Sequence, residues 1–300
     1  MQTYHYNICG LTVEFPWKID YFPTSNQTPD VFIQFGVASP PSKEVMLYQG
    51  PYCQVAPNHF FLSIDNIANF MVRDGNLITI EPQGNIDTDS LKTFVLSSCL
   101  GVLLIQRNLL VLHAAVLKKN GKTVAFGGGP GCGKSTLSAL LLKSGAGVLA
   151  DNIAVICFDN KTTAMTLPSF PNIHLWQSTL DKLAINGYNS KKIRPEINKY
   201  VINIGADFVN TPQPLSSLCI LSPWNKREIH FEQITGAEKI FQLTNVSFRT
   251  KITRGLGMDQ QHFKHISALS NTINMVKLSY PQDWALNSTL INHIDEYLFK

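Results

Sequence analysis

The fold of this 300-residue chain is decided by the stretch Gly128-Gly129-Pro130-Gly131-Cys132-Gly133-Lys134-Ser135-Thr136. This stretch fits the pattern G-x-x-x-x-G-K-[ST], which is typical of a phosphate-binding loop. Residues 122–126 (KTVAF) before it predict a short buried strand, and residues 137–142 (LSALLL) after it predict the first turns of a helix. Strand, glycine loop and helix are the order in which the motif occurs. The sequence therefore predicts a nucleotide site at residues 128–136.

The residue types of this loop suit the binding of phosphate. Glycines allow successive backbone N–H groups to point into one concavity, and the helix that follows adds the partial positive charge of its N-terminus. Lys134 is expected to reach the β- and γ-phosphates, and Ser135 to offer its hydroxyl to Mg²⁺. No base-reading motif is recognisable, so the residues alone leave ATP and GTP both open.

Composition narrows the class of protein. Apolar residues make up 44% of the chain, which supports a packed core. The net charge is +4 without a basic run, so nothing favours nucleic acid or an anionic membrane as a partner. The six cysteines form no C-x-x-C pair, which argues against a zinc site and against a disulfide framework. The N-terminus lacks the build of a signal peptide, and the apolar run 94–105 is too short to span a bilayer, so we expect a cytoplasmic protein.

The first part of the chain is predicted to be β-rich. Short apolar or alternating runs, separated by Pro, Gly, Asn and Asp, occupy residues 8–15, 31–35, 45–48, 60–64, 68–72 and 77–80. Asp74-Gly75 is a strong hairpin signal, and residues 91–106 predict a helix. We place a domain boundary near residue 88. This predicts a β-rich domain, 1–88, for scaffolding or for recognition of a substrate or partner, and a second domain, 89–300.

A carboxylate is predicted to return to the loop. The continuous apolar run 109–117 predicts one strand, and Lys119-Asn120-Gly121 is expected to turn it back as an antiparallel partner of the loop strand. After the loop, a helix of about ten residues rises roughly 15 Å. Four or five extended residues then return roughly 13–17 Å. Asp151 is thereby expected beside the phosphates, where it could hold Mg²⁺ or accept a proton; the alternative is an aspartate that caps a turn.

The rest of the chain predicts a mixed α/β arrangement. Residues 153–158 and 162–167 predict a hairpin, and strands are expected at 200–204, 218–221 and 275–278. Helices are expected at 175–183, 237–243, 258–270 and 286–298. Because two β elements follow Asp151 without a helix between them, the sheet is not expected to be purely parallel.

The order Leu112-His113-Ala114-Ala115, then the loop, then Leu149-Ala150-Asp151-Asn152 resembles the HPr kinase/phosphorylase superfamily. More closely, it resembles the HPr-kinase-related serine kinases, which include kinases encoded with lasso-peptide biosynthesis. The resemblance covers roughly residues 60–295 and includes the segment 170–176 and the stretch from Arg194 to Lys199.

The resemblance implies a kinase core of the phosphoenolpyruvate-carboxykinase type with a mixed sheet, ATP, Mg²⁺, and a hydroxyl acceptor that is usually serine. It implies that Asp151 is the catalytic base, that Lys134 and Ser135 bind phosphate and metal, and that His113 lies near the phosphates. The resembled kinases often assemble, so a homo-oligomer is open. Thr136 and Asn152 stand where HPr kinases have Glu and a second Asp. Because no HPr-recognition signature is evident either, HPr is not expected as the substrate.

Several alternatives remain at this stage. His113 could be a satisfied core histidine, and Arg194 and Lys199 could be solvated loop charges instead of a clamp on an anionic substrate. The whole chain could be a kinase that phosphorylates a peptide, a protein or a small metabolite. It could also be a nucleotide-gated ATPase that controls a partner, or a nucleotide-binding module without chemistry.

Overall fold

The computed structural model describes residues 2–84, 88–159, 162–183, 190–194 and 197–300. The chain forms two compact units. Unit 1 comprises the described residues of Met1–Val111, Ile193–Glu196 and Phe248–His265, and unit 2 comprises those of Leu112–Lys192, Ile197–Ser247 and Ile266–Lys300. This division differs from the boundary expected near residue 88, because the helix predicted at 91–106 and the segment 248–265 belong to unit 1.

Unit 1 is built on one mixed sheet of eight strands. The strands are β1 (Tyr4–Ile8), β2 (Leu11–Phe15), β3 (Val31–Phe35), β4 (Tyr48–Gln49), β5 (Cys53–Ala56), β6 (His59–Ile64), β7 (Ala68–Arg73) and β8 (Leu77–Pro82). Their spatial order is β1-β2-β3-β8-β7-β6-β5-β4. Strands β2 and β3 pair in parallel, as do β3 and β8, whereas the pairs from β8 to β4 are antiparallel.

Local turn chemistry explains where these strands begin and end. The predicted hairpin at Asp74-Gly75 is confirmed: both residues have positive φ, 54° and 66°, and Arg73 pairs with Leu77. The single strand expected at 8–15 is wrong, because Cys9 and Gly10, at φ 53° and 75°, turn the chain between β1 and β2. The strand expected at 45–48 is wrong except at Tyr48, because β4 comprises only Tyr48 and Gln49.

One long helical stretch packs on this sheet. It runs as α1 (Thr88–Phe94), a π-helical segment (Val95–Cys99) and α2 (Leu100–Gln106). Gly101 lets another side chain approach closely, since a Cβ there would lie 2.5 Å from Phe248 Cε1. By length and composition, the helical stretch Thr88–Gln106 is long and apolar enough to cross a membrane. The sequence pattern indicates only the shorter apolar run 94–105. Of the most apolar window of Thr88–Gln106, 61% is buried inside the protein, as in a core helix. Unit 1 also contains α6 (Thr250–Gly255), which the sequence did not predict.

Unit 2 is built around a second mixed sheet. Its strands are β10 (Ala115–Lys119), β11 (Lys122–Gly127), β12 (Gly147–Ala150), β19 (Ser217–Trp224), β20 (His230–Gln233) and β21 (Asn274–Pro281). The spatial order is β12-β10-β11-β19-β21-β20. The central strands β11, β19 and β21 are parallel, and β10, β12 and β20 pair antiparallel to their neighbours. The antiparallel partner predicted for the loop strand is therefore confirmed, and the fold is mixed α/β.

The apolar run 109–117 is not one strand. It divides into β9 (Leu110–Leu112) and β10, and the chain bends between them at His113. The predicted hairpin after Asp151 is confirmed as β13 (Ala154–Asp159) and β14 (Thr163–Leu167), and β14 also pairs with β18 (Gln213–Pro214). Asn160 and Lys161, between these two strands, lie outside the described residues.

A further pair of antiparallel strands follows β14 in the chain. Strand β15 (Asn172–Trp176) pairs antiparallel with β17 (Ile197–Asn203), and the sequence did not predict β16 (Ser190–Arg194). The helix expected at 175–183 begins later, as α4 (Gln177–Leu183), because β15 extends through Trp176.

Helices cover the large sheet of unit 2. They are α3 (Lys134–Lys143), α5 (Ala237–Val246) and α8 (Asn287–Leu298), while α7 (Asp259–Thr272) begins in unit 1 and ends in unit 2. The ring of Phe126 on β11 lies 6.4 Å from that of Phe299, just after α8, and both are fully buried. This core holds β11, and therefore the start of the glycine loop, in place.

We expect Leu103→Ala to lower the free energy of unfolding by about 2–5 kcal/mol, because Leu103 is fully buried in the core of unit 1 and its truncation leaves a cavity. The matched control is Leu47→Ala, which makes the same chemical change at a side chain that is 60% exposed and should cost within about 0.5 kcal/mol. Chemical denaturation measures both values. Equal losses in the two variants would contradict this account of the core.

Candidate nucleotide site

In the large sheet of unit 2, the strand register brings the start of β10 and the ends of β11 and β12 to the same edge. Ala115, the first residue of β10, pairs with Phe126 near the end of β11, and Val116 pairs with Ala150 at the end of β12. His113 therefore precedes β10 at the edge where the glycine loop leaves β11 and Asp151 follows β12. This is where the lengths of α3 and β12 lead us to expect Asp151.

The backbone of the loop depends on glycine. Gly128, Gly131 and Gly133 have φ values of 147°, 76° and 90°, which side-chain-bearing residues rarely adopt. A Cβ on Gly128 would lie 2.7 Å from Cys132 Sγ and 2.8 Å from the Leu221 carbonyl oxygen, whereas none of the surrounding atoms comes within 4 Å of a Cβ on Gly129 or Gly131. The loop is thus packed against β19 on one side and open above Gly129 and Gly131.

Lys134 is a buried cation without an acidic partner among the described residues. The residue is only 9% exposed, and its Nζ donates to the carbonyl oxygens of Gly128, at 2.8 Å, and Gly129, at 3.3 Å. Across the described ranges, Lys134 lies within ion-pair distance of no carboxylate. Burial of an ammonium group is costly unless an anion compensates it. The residues present therefore fit a bound phosphate group.

Two residues at the end of β21 brace the loop: Tyr280 is the last but one residue of the strand, and Gln282 directly follows it. The Tyr280 hydroxyl donates a hydrogen bond to the Cys132 carbonyl oxygen, and Gln282 Nε2 donates to the Gly131 carbonyl oxygen at 2.9 Å. Burial raises the pKa of Tyr280, so the hydroxyl keeps its proton and remains a donor. Sequence reasoning missed both residues, because nothing local links them to a loop about 150 positions earlier in the chain.

Asp151 is held in one orientation. Its side chain is 1% exposed, and Oδ2 accepts a hydrogen bond from the backbone N–H of His174 at 2.8 Å and lies 3.5 Å from His174 Nδ1. Asn152, at φ 70°, places its side-chain amide 3.1 Å from the same Nδ1. His174 was not singled out from the sequence, although it lies in the segment 170–176 that contributed to the resemblance.

His113 is surrounded by the other charged groups of this edge. Its backbone N–H donates to the Val246 carbonyl oxygen at 2.7 Å, and its side chain reaches the surface. Partial burial of the imidazole and the positive charge of Lys134 lower the pKa of His113 below its usual 6.5, and the charge of Lys199 acts in the same direction. Asp151 and a hydrogen bond with the backbone of Asn152 oppose this shift. The ring is therefore neutral at pH 7.

The remaining residues of the loop differ in exposure. Cys132 is buried, Gly129 and Pro130 are exposed, and Ser135 is half-buried at the start of α3. Thr136 Oγ1 lies 3.3 Å from Thr179 Oγ1. The described part of the chain contains no cluster of three or more His, Cys, Asp or Glu residues that could hold a metal. The Mg²⁺ site expected at Ser135 and Asp151 stays a prediction.

The two basic residues considered from the sequence as a clamp on an anionic substrate belong to different units. Lys199, in unit 2, lies with Nζ 5.9 Å from the centroid of the Trp176 ring, and its charge acts on His113. Arg194 belongs to unit 1, where its Cζ lies 5.7 Å from the centroid of the Phe94 ring. The substrate role of both residues stays a prediction.

Comparisons with known proteins give little support beyond the geometry. No protein-family model matches the sequence. The search of curated proteins found no match either. Among solved structures, the chain is similar to the Hpr(Ser) kinase/phosphatase from Coxiella burnetii, with 14% identity and a TM-score of 0.33, over 62% of this chain and 95% of that chain.

We expect Tyr280→Phe to lower the free energy of unfolding by about 1–3 kcal/mol, because it leaves the buried carbonyl of Cys132 without its donor. Exchange of the amide hydrogens of Gly129 and of residues 131–133 should also become faster. Tyr297→Phe, which removes the hydroxyl of an exposed tyrosine that stacks on Phe231, is the matched control and should change neither quantity. If the loop amides exchange at the same rate in both variants, Tyr280 does not brace the loop.

We expect NMR titration to place the pKa of His113 below 6.5, and Lys134→Met to raise it by removing a neighbouring positive charge. Lys199→Gln should raise it less, since that charge contributes least. Because the folded protein then binds this proton more weakly than the unfolded chain, the His113 contribution to stability is lost as the pH falls below about 6.5. An unchanged pKa in Lys134→Met would contradict the proximity of these two side chains.

Proposed function

We propose that this chain is an ATP- and Mg²⁺-dependent kinase that transfers the γ-phosphoryl group to a serine-like hydroxyl of a peptide, a protein or a small metabolite. The observation that carries the proposal is the buried Lys134 ammonium, which no carboxylate of the described residues neutralises, in a glycine loop beside Asp151. Such a site offers positive charge to phosphate and a carboxylate to a nearby hydroxyl.

Phosphate would be held by the loop and by Lys134. The backbone N–H groups of Gly129 and of residues 131–135, at the start of α3, would donate to phosphate oxygens. Lys134 Nζ would exchange its bonds with the Gly128 and Gly129 carbonyls for bonds with a phosphate oxygen. Ser135 and Asp151 would hold Mg²⁺, which when bound neutralises charge that develops on the phosphoryl oxygens.

Asp151 would receive the proton of the acceptor hydroxyl. Since Oδ2 accepts the His174 N–H, the carboxylate is already oriented and Oδ1 is the oxygen proposed to take the proton. Neither Asn152 nor Thr136 could replace it, because an amide and a hydroxyl are not bases at neutral pH. A neutral His113 could donate one hydrogen bond toward the phosphates without adding charge.

The burial of Asp151 favours testing a second function. The Asp151 side chain is 1% exposed, and a base has to reach the hydroxyl that it deprotonates. A water molecule reaches such a carboxylate more easily than a serine on a large acceptor does. This favours the alternative of a nucleotide-gated ATPase that controls a partner.

The test is phosphoryl transfer from γ-labelled ATP with Mg²⁺, read by mass spectrometry, to free serine, serine-ended peptides and HPr. We expect Asp151→Asn to lower transfer by about 10²-fold or more while nucleotide binding by calorimetry stays within a few-fold. Lys134→Met should lose binding itself. Asp159→Asn, at an exposed position at the end of β13, controls for the charge change and should retain transfer.

The outcomes separate the two functions. Transfer to one acceptor that disappears in Asp151→Asn supports the kinase. Release of phosphate to water with none of the acceptors labelled supports the ATPase. Full transfer by Asp151→Asn would show that Asp151 is not the base.

A further inference from the structure

Unit 1 contains a cavity of about 1020 Å³ beside the outer strands of its sheet. All of its lining residues belong to unit 1. Leu62 and Ile252 are buried in its wall, and the rings of Tyr52 and Phe94 face it. Its size matches the upper range of small-molecule sites, and the mixture of apolar wall and a few polar groups is also typical of them.

The charged residues of this cavity are mostly basic. Arg194, Arg249 and Lys251 line it, against one acidic residue, Asp65. Within the described ranges, neither Arg249 nor Lys251 lies at ion-pair distance from a carboxylate. Their charges therefore remain available to an anion that enters the cavity.

The side chain of Arg249 is fixed by two neighbouring residues. Its Nη2 donates to the hydroxyl of Ser98, a buried residue of the π-helical segment, at 2.8 Å, and its Cζ lies 5.4 Å from the centroid of the Phe248 ring. Its φ of 48° is in the left-handed region, which is uncommon for a residue other than glycine and occurs often at ligand sites. A guanidinium fixed in this way loses little conformational freedom when an anion binds to its remaining N–H groups.

An apolar surface adjoins these cations. Arg194 Cζ lies 5.7 Å from the centroid of the Phe94 ring, so a guanidinium and an aromatic ring line the same wall. Leu62 and Ile252 continue the apolar surface. A ligand that satisfies both parts needs an anionic group and an apolar body.

We propose that this cavity binds a small amphipathic anion, with a carboxylate or phosphate group at Arg249 and Lys251 and an apolar body against Phe94 and Leu62. The site does not depend on the kinase proposal, because none of its lining residues belongs to the glycine loop or to the edge that holds Asp151.

Calorimetry on the full chain tests the proposal with 4-phenylbutyrate, phenyl phosphate and the neutral 4-phenylbutanol. We expect the better of the two anions to bind at least about tenfold more tightly than the alcohol, because charge-assisted hydrogen bonds contribute about 1.5–3 kcal/mol. The ranking of the two anions identifies the preferred head group. Equal affinity of both anions and the alcohol, or no binding of either anion, would overturn the proposal.

Charge-removing variants locate the site. Lys251→Gln should weaken the anion several-fold without changing the affinity for the alcohol, and Arg249→Gln should weaken it more. Lys264→Gln removes the same charge from an exposed position on α7 in the same unit and is the matched control. If Lys251→Gln and Arg249→Gln both bind the anion like the control, the anion binds elsewhere and the proposal is wrong.

Thiol alkylation gives a second measurement that does not require a variant. Cys53 lines the cavity, and the charge of Arg249 acts on its thiol, whose pKa is raised by burial. Cys157 on β13 is buried to a similar extent in unit 2 and is the internal reference. Peptide mapping should show that the anion slows alkylation of Cys53 but not of Cys157. Equal rates at Cys53 with and without saturating anion would count against occupancy of this cavity.

Discussion

An ammonium group buried at the start of α3 imposes the main constraint on unit 2. Lys134 has no carboxylate partner among the described residues, so its charge is solvated by the two carbonyls that the loop turns toward it. The loop can present those carbonyls only because glycines occupy positions where φ is positive and where a Cβ would collide with Cys132 and Leu221. The same arrangement leaves the outer side of Gly129 and Gly131 open. The same glycine backbone therefore both solvates the buried charge of Lys134 and keeps the loop accessible from outside.

The mixed sheet brings other functional side chains next to the glycine loop. In a purely parallel sheet all strands run in the same direction, so only strand ends meet at the edge where the glycine loop leaves its strand. Here β10 lies antiparallel between β11 and β12, and its start is the point from which the glycine loop and Asp151 depart. The bend at His113 places an imidazole at the same point, where it responds to the charges of Lys134 and Asp151. Three short segments thus meet without a long connecting loop.

The sequence predicted what is local and missed what is distant. The loop, its flanking strand and helix, and the hairpin at Asp74-Gly75 follow from glycine placement and apolar pattern, which act over a few residues. The apolar run 109–117 concealed the bend at His113, because burial on both sides of the bend gives one continuous pattern. Tyr280 and Gln282 had no signal, since each acts through a single contact across the fold. His174 was equally hidden, because its backbone N–H, available in almost any residue, is what orients Asp151.

The brace on the loop has a consequence for the order in which the protein can mature. A chain is synthesised from its N-terminus, and the N-terminal parts generally fold first. The glycine loop emerges early, but the hydroxyl that binds the Cys132 carbonyl and the amide that binds the Gly131 carbonyl belong to residues 280 and 282. Strand β21, which carries one of them, also completes the parallel centre of the sheet beside β19. A nascent chain that already contains the entire loop therefore still lacks two of the bonds that set the shape of that loop, and these bonds can form only after residues 280 and 282 have been synthesised.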